Sequence, residues 1–212
     1  MAASTTTTSV TLPPLKIETV NVTLIGDTPL IVHRWSEKAK KQMLDKQMKK
    51  ASPGKEAKDP ERDFRDSLYV LEDGRYGFPI IGFKAAAVTA CTSIGSMTKV
   101  AARQAFHVDG EFAVIEGDEP TMREDMVRIA MGTADIRYRG EFKNWWTTIT
   151  VKYNGNVMSA EQILNLMQTA GFAVGVGEWR PEKDGQYGRF HVANAEEMKL
   201  INDIRNNTQQ AA

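Results

Sequence analysis

From Phe142 to Tyr153 the chain sets Trp145, Thr147, Ile149, Val151 and Tyr153 on one side of an extended backbone, and Trp146, Thr148, Thr150 and Lys152 on the other. A period of two over that length, in β-branched and aromatic residues, is a half-buried strand. The chain must therefore build a sheet with a covered face. A helix signal follows directly. Ser159 and Gln162 form a capping box, Ile163, Leu164, Met167 and Ala170 have core spacing, and Gly171 stands where a C-terminal cap belongs.

The other elements fit the same kind of fold. Val20, Val22 and Leu24 alternate through a strand over 17–25, Gly26-Asp27-Thr28-Pro29 breaks it, and Leu30-Ile31-Val32 resumes an extended course. Ser36 caps a predicted helix from Glu37 to about Lys50, and 52–60 reads as a loop. Asp73-Gly74 joins strands over 67–71 and 76–78 in a hairpin. An alanine-rich helix is expected over 83–91, a strand over 111–115 followed by an acidic turn at 116–120, and a last helix from Asn194 to about Arg205 with Glu197 as box partner. Strands and helices mix without a regular βαβα rhythm, so the fold class is α+β with a largely antiparallel sheet. The expected organisation is a flexible arm over 1–14, one domain over 15–206 with a basic helix and loop inserted at about 36–66, and a flexible tail over 207–212.

Composition limits the functions available. With 27 basic and 27 acidic residues among 212, the formal net charge is zero, and any polyanion site must be a local patch. The single cysteine, Cys91, excludes an intramolecular disulfide and sits in the alanine-rich helix as a structural thiol. No apolar run approaches the roughly 20 residues of a membrane span, so no membrane partner is expected, and the Thr-rich start is unlike a secretory signal.

Two segments carry the candidate chemistry. Gly171 to Phe190 holds glycines at 171, 175, 177, 185 and 188 interleaved with Trp179, Arg180, Lys183, Tyr187 and Arg189. Glycines allow close backbone approach and expose amide donors, while basic and aromatic side chains grip phosphates and stack bases. The plainer reading makes Gly171 a cap and Gly185 and Gly188 turn residues. Gly175-Val176-Gly177 follows a helix instead of a strand and no P-loop motif occurs, which disfavours a dinucleotide or NTP enzyme. The second segment is a lysine cluster at 38, 40, 41, 46, 49, 50, 55 and 58, opposed by Asp45 and Glu56, for a local charge of +6. Segregated charge of this kind suits phosphate, though a solvated helix face has the same pattern. The acidic residues Asp109, Glu111, Glu116, Asp118 and Glu119 offer it a complementary surface in head-to-tail assembly. Candidate nucleic-acid contacts are therefore Arg34, Lys38, Lys41, Gly175, Gly177, Trp179, Arg180, Lys183, Gly185, Gly188 and Arg189. No metal site or cofactor is expected, because His33, His107 and His191 lie far apart and no metal-ligand spacing occurs.

The stretch from Val20 to Arg34, with its Thr28-Pro29-Leu30 turn, resembles the opening strand of the RAMP superfamily, the repeat-associated RNA-binding proteins of CRISPR systems. Gly171 to Phe190 resembles their C-terminal glycine-rich loop. The chain also resembles a family of uncharacterised bacteriophage and prophage proteins, around 28–47, 122–138 and the glycine-rich end. These resemblances imply a ferredoxin-like core with insertions and non-catalytic binding of single-stranded DNA or RNA by subunits that oligomerise along it, in the cytoplasm of a bacterial host. The insertion from Glu178 to Asp184 departs from the glycine-loop spacing. Some RAMP proteins cleave RNA with a histidine soon after the first strand, where His33 stands, which implies a metal-independent ribonuclease as an alternative. Phage context adds a counter-defence protein that traps a signalling nucleotide or blocks a host defence factor.

Overall fold

The computed structural model describes residues 13–50, 57–95, 97–129 and 132–211. Its strands are β1 (Ile17–Gly26), β2 (Leu30–Val32), β3 (Tyr69–Val70), β4 (Tyr76–Pro79), β5 (Phe106–Val108), β6 (Phe112–Val114), β7 (Glu116–Gly117), β8 (Thr121–Ile129), β9 (Thr133–Phe142), β10 (Trp145–Asn154) and β11 (Phe190–Val192). The helices are α1 (Glu37–Gln47), α2 (Pro60–Ser67), α3 (Ile80–Ile94), α4 (Lys99–Ala105), α5 (Ala160–Ala173) and α6 (Ala195–Ala211), with a 3-10 turn at Pro181–Lys183.

The fold is a mixture of helices and antiparallel sheet. Its main sheet runs β11-β1-β10-β5, antiparallel throughout, with β7 also paired to β10. Helix α3 lies in the connection from β1 to β5 and α5 in the connection from β10 to β11, so each connection crosses a strand of opposite direction. In β10, Trp145, Thr147, Ile149, Val151 and Tyr153 are all buried, and Val22 and Leu24 of β1 pair with Ile149 and Thr147 on that face. Phe83, Ala86, Ala87 and Ala90 of α3 and Ile163, Leu166, Met167 and Ala170 of α5 complete the core. Phe83 and Trp145 both meet the Phe190 ring edge-on, at 5.7 and 6.4 Å. The small alanine faces let helix and sheet approach closely, and burying each large side chain contributes roughly 1.5–3 kcal/mol. On the other face, Arg205 of α6 reaches Thr148 Oγ1 at 3.0 Å and pairs with Glu116.

A second sheet, β2-β9-β8, carries a long hairpin away from the main sheet, and β3-β4-β6 forms a third. Helix α2 packs on β9 where Gly140 leaves room for it: a Cβ there would lie 2.3 Å from Leu68. Ser67 Oγ accepts from the Gly140 amide at 2.9 Å, and the Arg34 amide donates to the Ser67 carbonyl at 2.8 Å.

Several local expectations need correction. Asp59-Pro60 does not continue a loop; the Asp59 carboxylate accepts from the Arg62 amide at 3.1 Å and Pro60 opens α2, whose missing N–H costs nothing there. The expected strand over 67–71 is shortened to Tyr69–Val70 for the same reason. Gly171 is inside α5 and does not cap it; a Cβ there would lie 1.8 Å from the Phe190 carbonyl oxygen, so the glycine serves the crossing of β11. Phe142 belongs to β9, not to the long strand. The capping box is present, with Gln162 N to Ser159 Oγ at 3.2 Å and Ser159 N to Gln162 Oε1 at 2.9 Å. The last helix starts where expected, under Asn194, and runs beyond Arg205 to Ala211. Residues 1–12, most of the expected arm, lie outside the described residues.

Candidate nucleic-acid interface

The two stretches that carry the resemblance, 20–34 and 171–190, are stitched together. The Asp27 amide donates to the Arg189 carbonyl at 2.9 Å, the Gly188 amide to the Pro29 carbonyl at 2.8 Å, and the Glu178 amide to the Ile31 carbonyl at 2.9 Å. The Arg189 amide donates to Thr28 Oγ1 at 3.0 Å, and the Trp145 indole holds the Thr28 carbonyl at 2.9 Å. The glycines are where this crossing is tightest. A Cβ at Gly188 would lie 1.7 Å from the Val176 carbonyl oxygen, and one at Gly185 would lie 1.7 Å from the Trp179 carbonyl oxygen. Their amides, with that of Gly175, donate to carbonyls within the protein, so these glycines shape the loop through backbone contacts.

The loop aims its aromatics at the β8–β9 hairpin. Trp179 has φ +54°, a conformation that favours glycine, and its indole Nε1 donates to Asp125 Oδ2 at 3.3 Å. Alternation along β8 and β9 puts Arg123, Asp125, Arg137, Arg139 and Glu141 on one face, with Arg123 opposite Arg139 and Asp125 opposite Arg137. Asp125 is buried there and accepts from Arg123 Nε at 2.9 Å and Arg139 Nη1 at 3.0 Å. Burial pushes its carboxyl upward, but the hydrogen bonds from Arg123 and Arg139 prevail and hold it below the usual carboxylate range. Arg123 also donates to Glu141 at 2.8 Å and lies 4.5 Å from the Tyr187 ring centre, while Arg139 lies 6.0 Å from that of Trp179.

Trp179, 39% exposed, stands between two hollows. One, about 520 Å³, is lined by Thr28, Pro29, Arg123, Asp125, Gly185, Gln186 and Tyr187 besides the indole. The other, about 250 Å³, is lined with it by Val127, Arg128, Arg137, Arg139, Glu178, Arg180 and Lys183. Five cations and one carboxylate line that second hollow. Arg180 pairs with Glu182 at 2.7 Å and donates to the Gly177 carbonyl at 3.0 Å, and Arg137 lies 3.6 Å from Asp135. Arg128 and Lys183 are exposed and have no acidic partner within ion-pair distance among the described residues. A half-exposed indole flanked by cations can stack a base and neutralise its phosphates.

Of the candidate contacts, Trp179, Arg180 and Lys183 meet at this basic hollow, and Gly185 lines its neighbour. Gly175 and Gly177 line a third hollow with His33, Tyr69, Glu178, Arg180 and Glu182. Burial lowers the His33 pKa, and the positive charge of Arg139 lowers it further. Arg34, next in sequence, sits 3.9 Å from Glu37. Arg189 is half-buried, and its Nε is enclosed without a hydrogen-bond partner among the described residues. Of the lysine cluster, Lys40, Lys41 and Lys46 are exposed on α1 and Lys49 and Lys50 follow it directly. The Lys38 side chain and Lys55 lie outside the described residues, and Lys58 is bound by Asp135 of the hairpin. The acidic group is partly engaged within the molecule: Asp109 with Lys152, Glu116 with Arg205, and Asp118 with Asn144. Cys91 is buried and its thiol donates to the Val88 carbonyl. Sequence reasoning passed over Arg123, Arg128, Arg137 and Arg139. Their signal is strongest in β9, where Arg137, Arg139 and Glu141 alternate with Ile136, Tyr138 and Gly140, whereas in β8 charge falls on both faces, Arg123 and Asp125 on one and Glu124 and Arg128 on the other.

Among the described residues, no helix is long and apolar enough to cross a membrane. No protein-family model matches the chain, and no curated protein matches it in sequence. Solved structures match it in fold. Over 84% of its length the chain matches a chain of the Type III-B Cmr-beta complex bound to cognate target RNA, with a TM-score of 0.53 at 10% identity. It spans 60% of that chain. Cmr6 from Pyrococcus furiosus matches over 85% of this chain and all of its own, with a TM-score of 0.46 at 9% identity. The likeness is one of fold alone.

Proposed function

We propose that this protein binds single-stranded nucleic acid without cleaving it, through the basic hollow beside Trp179, and that copies assemble along the strand. The observation that carries this reading is Trp179, half-exposed and fixed by Asp125 between Arg123 and Tyr187 on one side and Arg128, Arg137, Arg139, Arg180 and Lys183 on the other. Every base offers a face to such an indole, and the cations supply sequence-independent phosphate attraction. The fold likeness to a protein complex bound to target RNA supports the ligand class. We read the β11-β1-β10-β5 order, with α3 and α5 as crossovers, as a ferredoxin-like core, the split βαβ arrangement doubled. Assembly is supported by the exposed apolar side chains of Met43 and Leu44 on α1 and of Met48 directly after it.

The test is fluorescence anisotropy of labelled single-stranded RNA and DNA at low and moderate salt, with size exclusion beside it. Salt-sensitive binding with a shift to larger species is the expected result. Binding of a cyclic dinucleotide with no binding of oligonucleotides would replace this reading by that of a nucleotide trap. A second reading, ribonuclease activity, rests on His33: its lowered pKa keeps the imidazole neutral near pH 7, able to accept a proton in the hollow it shares with Arg180. RNA cleavage by the purified protein that disappears in His33→Ala would establish it; intact RNA would exclude it.

A further inference from the structure

A fourth hollow lies beyond the three described. At about 630 Å³ it is lined among others by Tyr69, Lys84, His107, Glu111 and Phe112. The four hollows share residues in sequence: Trp179 belongs to the first two, Glu178 and Arg180 to the second and third, and Tyr69 to the third and fourth. Each hollow therefore adjoins the next through a common side chain, from the one lined by Tyr187 to the one lined by His107, and we take them in that order as a row.

The far hollow has its own polar group. Lys84 Nζ lies 3.1 Å from His107 Nδ1 and 5.9 Å from the centre of the Phe106 ring. An ammonium only donates, so Nδ1 accepts and the ring proton sits on Nε2. The pair therefore presents donors alone. Lys84 has no acidic partner within ion-pair distance among the described residues, and Glu111 is the one carboxylate lining the hollow. Tyr69 and Phe112, 5.8 Å apart and tilted by 46°, form an aromatic wall at the shared side.

We infer that the strand bound beside Trp179 continues along this row and that Lys84, positioned by His107, holds a phosphodiester at its far end. This rests on the nucleic-acid reading of the Trp179 hollow and extends it to a long binding track with two anchors. A short oligonucleotide fills the Trp179 end alone, whereas a longer one reaches Lys84.

The test measures affinity for single-stranded homopolymers of increasing length, from about four nucleotides to about sixteen, in the full protein and in Lys84→Gln and Glu111→Gln. Both side chains are at the surface, and matching thermal melting curves establish that the variants are folded. The expected result is equal affinity of all three proteins for the shortest strand. For long strands, Lys84→Gln weakens binding and makes the slope of log K against log salt shallower by about 0.7, while Glu111→Gln tightens it. Long-strand binding unchanged in both variants overturns the track while leaving the Trp179 site intact. Failure of the unaltered protein to bind strands of any length overturns both.

Discussion

The indole nitrogen of Trp179 donates to Asp125 Oδ2 at 3.3 Å, coupling the glycine-rich segment to the β8–β9 hairpin across 54 positions of sequence. Asp125 serves Arg123 and Arg139 with the same carboxylate. The aromatic platform and the cations around it are thus positioned by one buried acid. Trp179→Ala is expected to weaken single-strand binding by about 1–3 kcal/mol, roughly fivefold to 150-fold, with Trp179→Phe retaining most of the affinity. Because Trp179 is part-exposed, its loss shifts the melting midpoint little. Anisotropy and thermal melting on the same samples check both halves.

Asp125→Ala tests the acid itself. Removing it leaves Arg139 buried, and breaking a buried ion pair costs about 3–5 kcal/mol. The expected outcome is a lowered denaturant midpoint together with weakened binding. The pH dependence has a definite sign. A carboxyl held below its usual range contributes stability that is present above the unfolded value and lost as pH falls through the native one. Wild-type protein should therefore lose stability at acid pH, and Asp125→Ala should flatten that part of the curve.

His191 gives the opposite slope at higher pH. It lies 2.6 Å from Asp27 and 3.1 Å from Glu197, joining the end of β1 to the start of α6. Burial lowers its pKa, but the hydrogen bonds to the two carboxylates outweigh that and raise it. The bridge is at full strength below the unfolded value of 6.5 and fades as pH rises through the raised native value. His191→Gln should be less stable than wild type at low pH and converge with it as pH increases, which melting curves across that range would show.

The glycines divide into two kinds. Gly188, at φ +64°, faces the Val176 carbonyl oxygen, whereas Gly74, at φ +83°, has open space around its missing side chain. Gly74→Ala should cost only the roughly 1–2 kcal/mol of a left-handed residue. Gly188→Ala adds a backbone clash, displaces the crossing with Pro29 and should reduce both stability and binding. Equal destabilisation of the two variants would remove the packing role assigned to Gly188.

What the sequence displayed and what it hid follow from the kind of signal each element carries. The β10 alternation, the Ser159–Gln162 box and the Asp73-Gly74 turn are local, and each is present as read. Gly171 misled because a helix-ending glycine and one that admits a crossing strand look identical in sequence; Phe190, its reason, is nineteen residues away. The hairpin was missed because both faces of β8 carry charge, which left the alternation of β9, Ala134, Ile136 and Tyr138 against Asp135, Arg137 and Arg139, without a recognisable partner strand. Trp179, Arg180 and Lys183 were legible by composition, but their partners Arg128, Arg137 and Arg139 meet them only through the fold. The lysine cluster was legible, but the engagement of Lys58 was not, since Asp135, which binds it, lies 77 positions further on.

The most direct test of single-strand binding at Trp179 is a salt titration of oligonucleotide affinity in wild type and in the Arg128→Gln/Lys183→Gln double variant. Wild type should bind at low salt and lose affinity steeply, with a log–log slope of about −2 to −4 for three to five phosphate contacts, and the double variant should be shallower by about 1.4. No binding at low salt, or a slope that the double variant leaves unchanged, would contradict the account.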